Sequence, residues 1–182
     1  MANFQVPTRD QVSAPNQAIF DNLQKGLGFV PNLYASFAHN ETALGDYLTL
    51  QNRKSTLKAK EREVVNLAVS QVNECAYCLA AHTALGKMNG FTDAQILELR
   101  AGHASFDGKL DALANFTRNI TINRGKPSPE AKAQLLEAGY SEANVIDILV
   151  VIGDKIITNF LHGTTQVPVD FPAAPALEGA LV

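Results

Sequence analysis

Gly90-Phe91-Thr92-Asp93-Ala94-Gln95-Ile96-Leu97-Glu98-Leu99 is matched in chemical type, position by position, by Gly139-Tyr140-Ser141-Glu142-Ala143-Asn144-Val145-Ile146-Asp147-Ile148, 49 residues further on. Each copy spells the start of a helix. Thr92 and Ser141 supply hydroxyls that cap the first free N–H groups, Gln95 and Asn144 complete a capping box, and Phe91 and Tyr140 can staple onto Ile96 and Val145. Carried backward, the same offset pairs a helix at 61–72 with one at 110–121. It also pairs the helix that begins near Cys75 with one at 129–138. The chain is therefore expected to be an internal duplication of a three-helix unit.

Helical spacing continues outward from this pair. Ile19, Phe20, Leu23 and Leu27 follow the cap-like Ser13-Ala14-Pro15, and Gly26 and Gly28 end that helix. Pro31 is placed to open a short helix carrying Leu33, Tyr34, Phe37 and Ala38. A third helix runs over about 41–53, with Ala43, Leu44, Tyr47 and Leu48 inward. Over 59–72 the inward set is Val64, Val65, Ala68 and Val72. No segment alternates as a strand does, so the fold class is all-α with two pseudo-repeated helical units. Gly163 is expected to cap the last helix. Beyond it Pro168, Pro172 and Pro175 forbid regular helix, and the tail either packs along a neighbour or is disordered. One domain over 1–182 is expected, divided into a CxxC-bearing repeat (57–100), a degenerate repeat (108–163) and an extended tail (164–182).

Composition narrows the class of function. At 182 residues the chain can bury a full core without disulfide staples. A net charge of −3 and the lack of any Lys/Arg cluster argue against nucleic acid as a partner. The segment 1–10 is polar and lacks the apolar stretch of a signal peptide. The most apolar run, 145–157, is interrupted by Asp147, Asp154 and Lys155, too short and too charged to span a bilayer. A cytoplasmic protein with no membrane partner is expected. In a reducing compartment, two cysteines three positions apart are more often catalytic or metal-binding than a staple.

Cys75 and Cys78 share one helix face, and at about 100° per residue Leu79, His82, Leu85 and Gly86 fall within the same arc. Leu79 and Leu85 would keep that face partly dry. The break at Asn73-Glu74 puts Cys75 at a helix N-terminus, where free N–H groups and the dipole favour a thiolate. His82, one turn beyond Cys78, could exchange a proton with that sulfur directly. Glu63 sits at the margin of the apolar stripe of the preceding helix. Half-buried there, it would have a raised pKa and could act as a general base.

The spacing Glu63, eleven residues, Cys75, two residues, Cys78, three residues, His82 resembles the signature of the AhpD-like alkylhydroperoxidases within the carboxymuconolactone decarboxylase superfamily. Glu61-Arg62-Glu63, Ala81-His82 and Gly28-Phe29-Val30-Pro31-Asn32-Leu33 fit the same pattern. The segment 165–172 is similar to the tail of the peroxidase-related members. The resemblance implies an AhpD-like fold and a peroxide-reducing enzyme that needs neither cofactor nor metal. Cys78 would attack the peroxide and become a sulfenic acid, Cys75 would condense with it, and Glu63 and His82 would relay protons. The implied partners are a hydroperoxide, an external dithiol or protein reductant, and further copies of the chain as dimer, trimer or hexamer. Well-known members carry a histidine directly before the second cysteine; here that residue is Tyr77, and a phenol of ordinary pKa about 10 is a poor shuttle near pH 7.

Three other readings stand beside this one. The dithiol could serve a protein disulfide reductase or redox adaptor. Both cysteines could be inert core residues. Alternatively Cys75, Cys78 and His82 could hold zinc in an interaction module, with His39, His103 or His162 as fourth ligand.

Overall fold

The computed structural model describes residues 4–177; the extreme ends of the expected N-terminal segment and tail, 1–3 and 178–182, lie outside the described residues. Nine α-helices follow one another, with no strand among the described residues: α1 (Ala14–Leu27), α2 (Asn32–Phe37), α3 (Ala43–Gln51), α4 (Ala59–Val72), α5 (Ala76–Met88), α6 (Asp93–Ala101), α7 (Gly108–Ile122), α8 (Pro129–Glu137) and α9 (Glu142–Thr165). None of these helices is long and apolar enough to cross a membrane. The two capping boxes form as the sequence indicates. Thr92 Oγ1 accepts from Gln95 N–H and Ser141 Oγ from Asn144 N–H, both at 3.3 Å. Phe91, Ile96 and Tyr140 are buried, and Val145 packs against the same cluster.

Helix α4 is the centre. It packs against α5, α6, α7 and α9, and every residue from Glu63 to Ser70 is buried. The single inward stripe expected from sequence is thus too narrow. Val72, assigned to that stripe, is only half-buried. A helix enclosed on all sides has no solvent face, so its polar residues must find partners inside. Glu63, Asn66 and Ser70 do: Asn66 Nδ2 donates to Glu63 at 2.9 Å, and Asn159 Nδ2 donates to Ser70 Oγ at 3.4 Å.

The starts of α4 and α7, and of α6 and α9, keep the 49-residue offset, as do the ends of α5 and α8. The start of α8 breaks it. Ser128 caps that helix and Pro129 opens it, so α8 lacks the turn that carries the cysteines in α5. Smaller differences from the sequence reading have local causes. Pro31 is the N-cap of α2 rather than its first residue, and α3 is shorter at both ends than expected. Helix α9 does not stop at Gly163. It runs to Thr165 and closes on Gln166, which takes φ 52° and donates its backbone N–H to His162 O at 2.8 Å.

The described part of the tail packs on its own chain. Val167 is buried, and Arg100 Nη1 donates to Pro175 O at 2.6 Å. Asp170 is the fastening. One of its oxygens accepts from the Asn32 N–H at 2.6 Å and the other from the Tyr77 hydroxyl at 2.5 Å, while Asn32 Nδ2 donates to Pro168 O at 3.0 Å. Phe171 meets both Tyr77 and Phe29 edge-on. Tyr77→Phe removes one hydrogen bond to a carboxylate, worth about 1.5–3 kcal/mol. We expect a loss of that order in urea unfolding, with faster amide exchange at Asn32 and over 167–171; unchanged exchange in the tail would show that Asp170 does not hold it.

Candidate active site

The site begins at the corner between α4 and α5. Asn73 ends α4, Glu74 takes the left-handed conformation at φ 52°, and Cys75 N–H reaches back to Ser70 O at 3.0 Å. Cys75 is thereby the N-cap of α5, its sulfur accepting from Cys78 N–H at 3.3 Å. Asn73 Nδ2 donates to Asn159 Oδ1 at 2.9 Å and ties the corner to α9. Both cysteines are free thiols, 3% and 2% exposed. Leu79 is buried on the same face, but Leu85 is exposed.

The two sulfurs are electrostatically unequal. Cys78 is lowered to about 7, first by a hydrogen bond from Cys75; burial opposes this, and the charge of Lys155 and the side chains of Asn159 and Thr158 reinforce it. Cys75 is pushed far upward by its hydrogen bond with Cys78, by burial and by the Cys78 charge. This corrects the expectation that the helix N-terminus makes Cys75 the thiolate. A sulfur at the N-cap has one N–H to accept, whereas the sulfur one turn later gains a thiol donor and a cation.

Glu63 and His82 do meet, and they are not alone. His82 Nδ1 lies 2.8 Å from Glu63 Oε2, and His82 Nε2 lies 3.1 Å from Lys155 Nζ. All three are buried, with Lys155 only 3% exposed. Glu63 is buried rather than half-buried, and its direction is the reverse of the one expected. Burial raises its pKa, but the His82 charge and hydrogen bond, the Asn66 amide and the Lys155 charge together carry it below the usual value. It is therefore the ionised end of a buried chain. The direct His82–Cys78 proton exchange is also corrected, because both ring nitrogens of His82 face other partners.

Aromatic side chains from α2 and α3 cover this arrangement. Tyr34 Oη donates to Gln51 Oε1 at 2.9 Å, Gln51 Nε2 donates to Tyr47 Oη at 3.0 Å, and Phe37 stacks on Tyr47 at 4.6 Å. Burial, with Tyr34, Asp154 and Cys78 as lesser causes, keeps the Tyr47 phenol un-ionised. A cleft lined by Gln51, Arg53, Arg62, Val151 and Asp154 opens beside them. Tyr77, between the two cysteines in sequence, is committed to the tail; burial and then Asp170 push its ionisation far up.

The other histidines stand apart from the thiols. His39 Nε2 pairs with Gln5 O at 2.8 Å, and His103 lies 3.5 Å from Glu98. His162, near the end of α9, is buried against Val167 O, and burial lowers its pKa. Zinc fits these donors poorly, because both ring nitrogens of His82 already face other side chains. Among the described residues, no group of three or more His, Cys, Asp or Glu side chains converges on a common point.

Sequence reasoning missed Lys155, Thr158, Asn159, Tyr34, Tyr47 and Asp170. A signal was present for one of them. Asp154 and Lys155 interrupt the most apolar run of the chain, and charges at such positions are costly unless paired.

Comparison with known proteins bears on the fold. Residues 37–118 match the model of the carboxymuconolactone decarboxylase family. Over 102 residues, 55% of this chain and 69% of the relative, the sequence is 26% identical to YdfG, an uncharacterized protein of Bacillus subtilis (strain 168). An uncharacterized peroxidase-related protein from Ralstonia eutropha JMP134, described as an alkylhydroperoxidase AhpD core, superposes with a TM-score of 0.82 at 19% identity, covering 92% of both chains. One from Silicibacter sp. TM1040 gives 0.79 at 24% identity, covering 97% of this chain and 94% of the other. The debrominase Bmp8, solved in complex with 2,3,4-tribromopyrrole, gives 0.75 at 15% identity and 92% coverage of both. The segment matched to the family model runs from the end of α2 into α7, and the fold of the described residues is that of the AhpD-like cores.

Proposed function

We propose that the protein is a thiol-dependent peroxidase acting through a Cys75–Cys78 dithiol/disulfide cycle. The observation that carries the reading is the inequality of the two sulfurs, a lowered Cys78 beside a Cys75 that keeps its proton. The Cys78 thiolate attacks the peroxide oxygen, the O–O bond breaks, and the alkoxide or hydroxide leaves with one proton, giving a Cys78 sulfenic acid and an alcohol or water. Cys75 then attacks that sulfur; the S–O bond breaks, water leaves and the disulfide forms. Two electrons from an external dithiol restore both thiols, a requirement that fits a reducing compartment such as the cytoplasm.

A protein disulfide reductase or adaptor is the second reading. Sulfurs that are 2–3% exposed favour a small oxidant over a folded protein's disulfide. The debrominase among the structural neighbours extends the small-molecule alternative to carbon–halogen substrates.

The test is a stopped-flow reaction of reduced protein with a small excess of hydroperoxide. Wild type should lose two thiols per peroxide. Cys78→Ser should abolish the reaction, and Cys75→Ser should stop at a sulfenic acid that dimedone traps. Wild type reacting no faster than a simple free thiol would remove the peroxidase reading. Because the thiolate is the deprotonated form, the rate should rise with pH to a plateau above about 7. Below that midpoint it should fall about tenfold per unit.

Self-association is proposed on a separate observation. Ile146, Leu149, Ile157 and Phe160 are exposed along α9 and lie within about 80° of one another around the helix. That stripe suits a second copy of the chain. Light scattering should find an oligomer for wild type and a smaller species for Phe160→Glu; a monomeric wild type would overturn the assignment.

A further inference from the structure

Cys75 and Cys78 stand outside the main apolar core. With Leu33, Tyr77 and Val167 they make a separate buried cluster, against which Val6, Leu161 and Phe171 pack. On one side of that cluster are α5 and α9, both packed on α4. The other residues that close it are Val6 and Leu33 from the N-terminal part and Val167 and Phe171 from the segment after α9. That last segment is held unlike the rest of the fold. Among the described residues, 167–175 makes no backbone–backbone hydrogen bond, and each of its hydrogen bonds runs through a side chain. His162 Nε2 lies 3.2 Å from Val167 O, and Asn32 Nδ2 donates to Pro168 O. Asp170 ties two helices at once, accepting from the Asn32 N–H of α2 and from Tyr77 Oη of α5, while Tyr77 Oη itself accepts from Leu33 N–H at 3.3 Å. Between 167 and 171 only Val167 is buried.

A segment with one buried side chain and no backbone ladder opens at lower cost than the helices beneath it. Pro168 and Pro172 fix φ on either side of Asp170 and limit the conformations open to the stretch between them. Asp170 is the main hold on that stretch, because both of its oxygens are used and on different helices. We propose that 167–171 is a strap across the dithiol with Asp170 as its clasp. Fastened, it leaves the sulfurs to reagents of the size of a small hydroperoxide; released, it lets a protein-borne dithiol reach them. The clasp thereby sets the size of the reaction partner. In the cycle proposed above it separates the oxidising half, which runs with the strap closed, from the reducing half, which needs it open. The inference rests on Cys75 and Cys78 being the reactive pair, but not on peroxide being what they reduce.

The chain's only cysteines are these two, so thiol labelling reports on the site alone. Reduced full-length protein is labelled at one pH with N-ethylmaleimide and, separately, with a poly(ethylene glycol) maleimide of protein-like size. The ratio of the two rates cancels the ionisation of the thiols. Wild type should react far more slowly with the large reagent. Asp170→Ala removes two hydrogen bonds and should speed the large reagent about tenfold or more, with a much smaller gain for N-ethylmaleimide. Asn32→Ala, which loses the bond to Pro168, should shift the ratio less and in the same sense. Asp147→Ala breaks a buried carboxylate's bonds to Arg53 and Thr56 near the other end of α9, and should leave the ratio as in wild type. A ratio unchanged in Asp170→Ala, or shifted as much in Asp147→Ala, overturns the proposal. Should Asp170→Ala fail to fold, wild type decides. In dilute urea, labelling by the large reagent and hydrogen exchange of the Asn32 amide should accelerate with one shared slope, well below that of global unfolding. Labelling that follows the global slope overturns the proposal as well. Peroxide inertness with this size dependence intact would defeat the peroxidase reading alone.

Discussion

The structure depends on a buried line of polar groups through its most enclosed region, from Glu63 to His82 to Lys155. Three helices, α4, α5 and α9, contribute one member each. None of the three would be tolerated there singly, since a lone buried charge costs more than helix packing returns. Joined, they set the rotation of each helix about its axis, because a carboxylate, a ring and an ammonium align in few ways. The apolar core of Val64, Leu67, Leu113, Leu135 and Ile148 supplies the bulk of the burial but is far less selective about register.

The cysteines take their inequality from that frame. The α4–α5 corner makes one sulfur a cap and leaves the other a turn inside the helix, next to α9. Thiols three apart on an isolated helix would differ little. A hydrogen bond between them, with the charge of Lys155 from α9 assisting at Cys78, lowers the pKa of that thiol and raises that of Cys75.

Much of the fold was legible because its signals are local. The caps at Thr92 and Ser141 and the spacing from Glu63 to His82 act within a few residues or one helical hairpin, and both are where the sequence places them. Features set by distant segments were not legible. Helix α4 reads as amphipathic, yet α5, α6, α7 and α9 all pack against it. A raised Glu63 follows from burial alone; it is reversed first by His82, then by Asn66 and by Lys155, the last of them 92 positions away in the chain. The tail's course turns on Asp170 meeting a hydroxyl from α5, a contact that no periodicity records.

That contact has an evolutionary corollary. The side chain between the two sulfurs in sequence is also the latch for the end of the chain, so positions 77 and 170 are not free to drift independently. A lineage that placed an imidazole at 77 would give up the phenol that donates to Asp170, and its C-terminal segment would have to be anchored anew before the exchange could be kept.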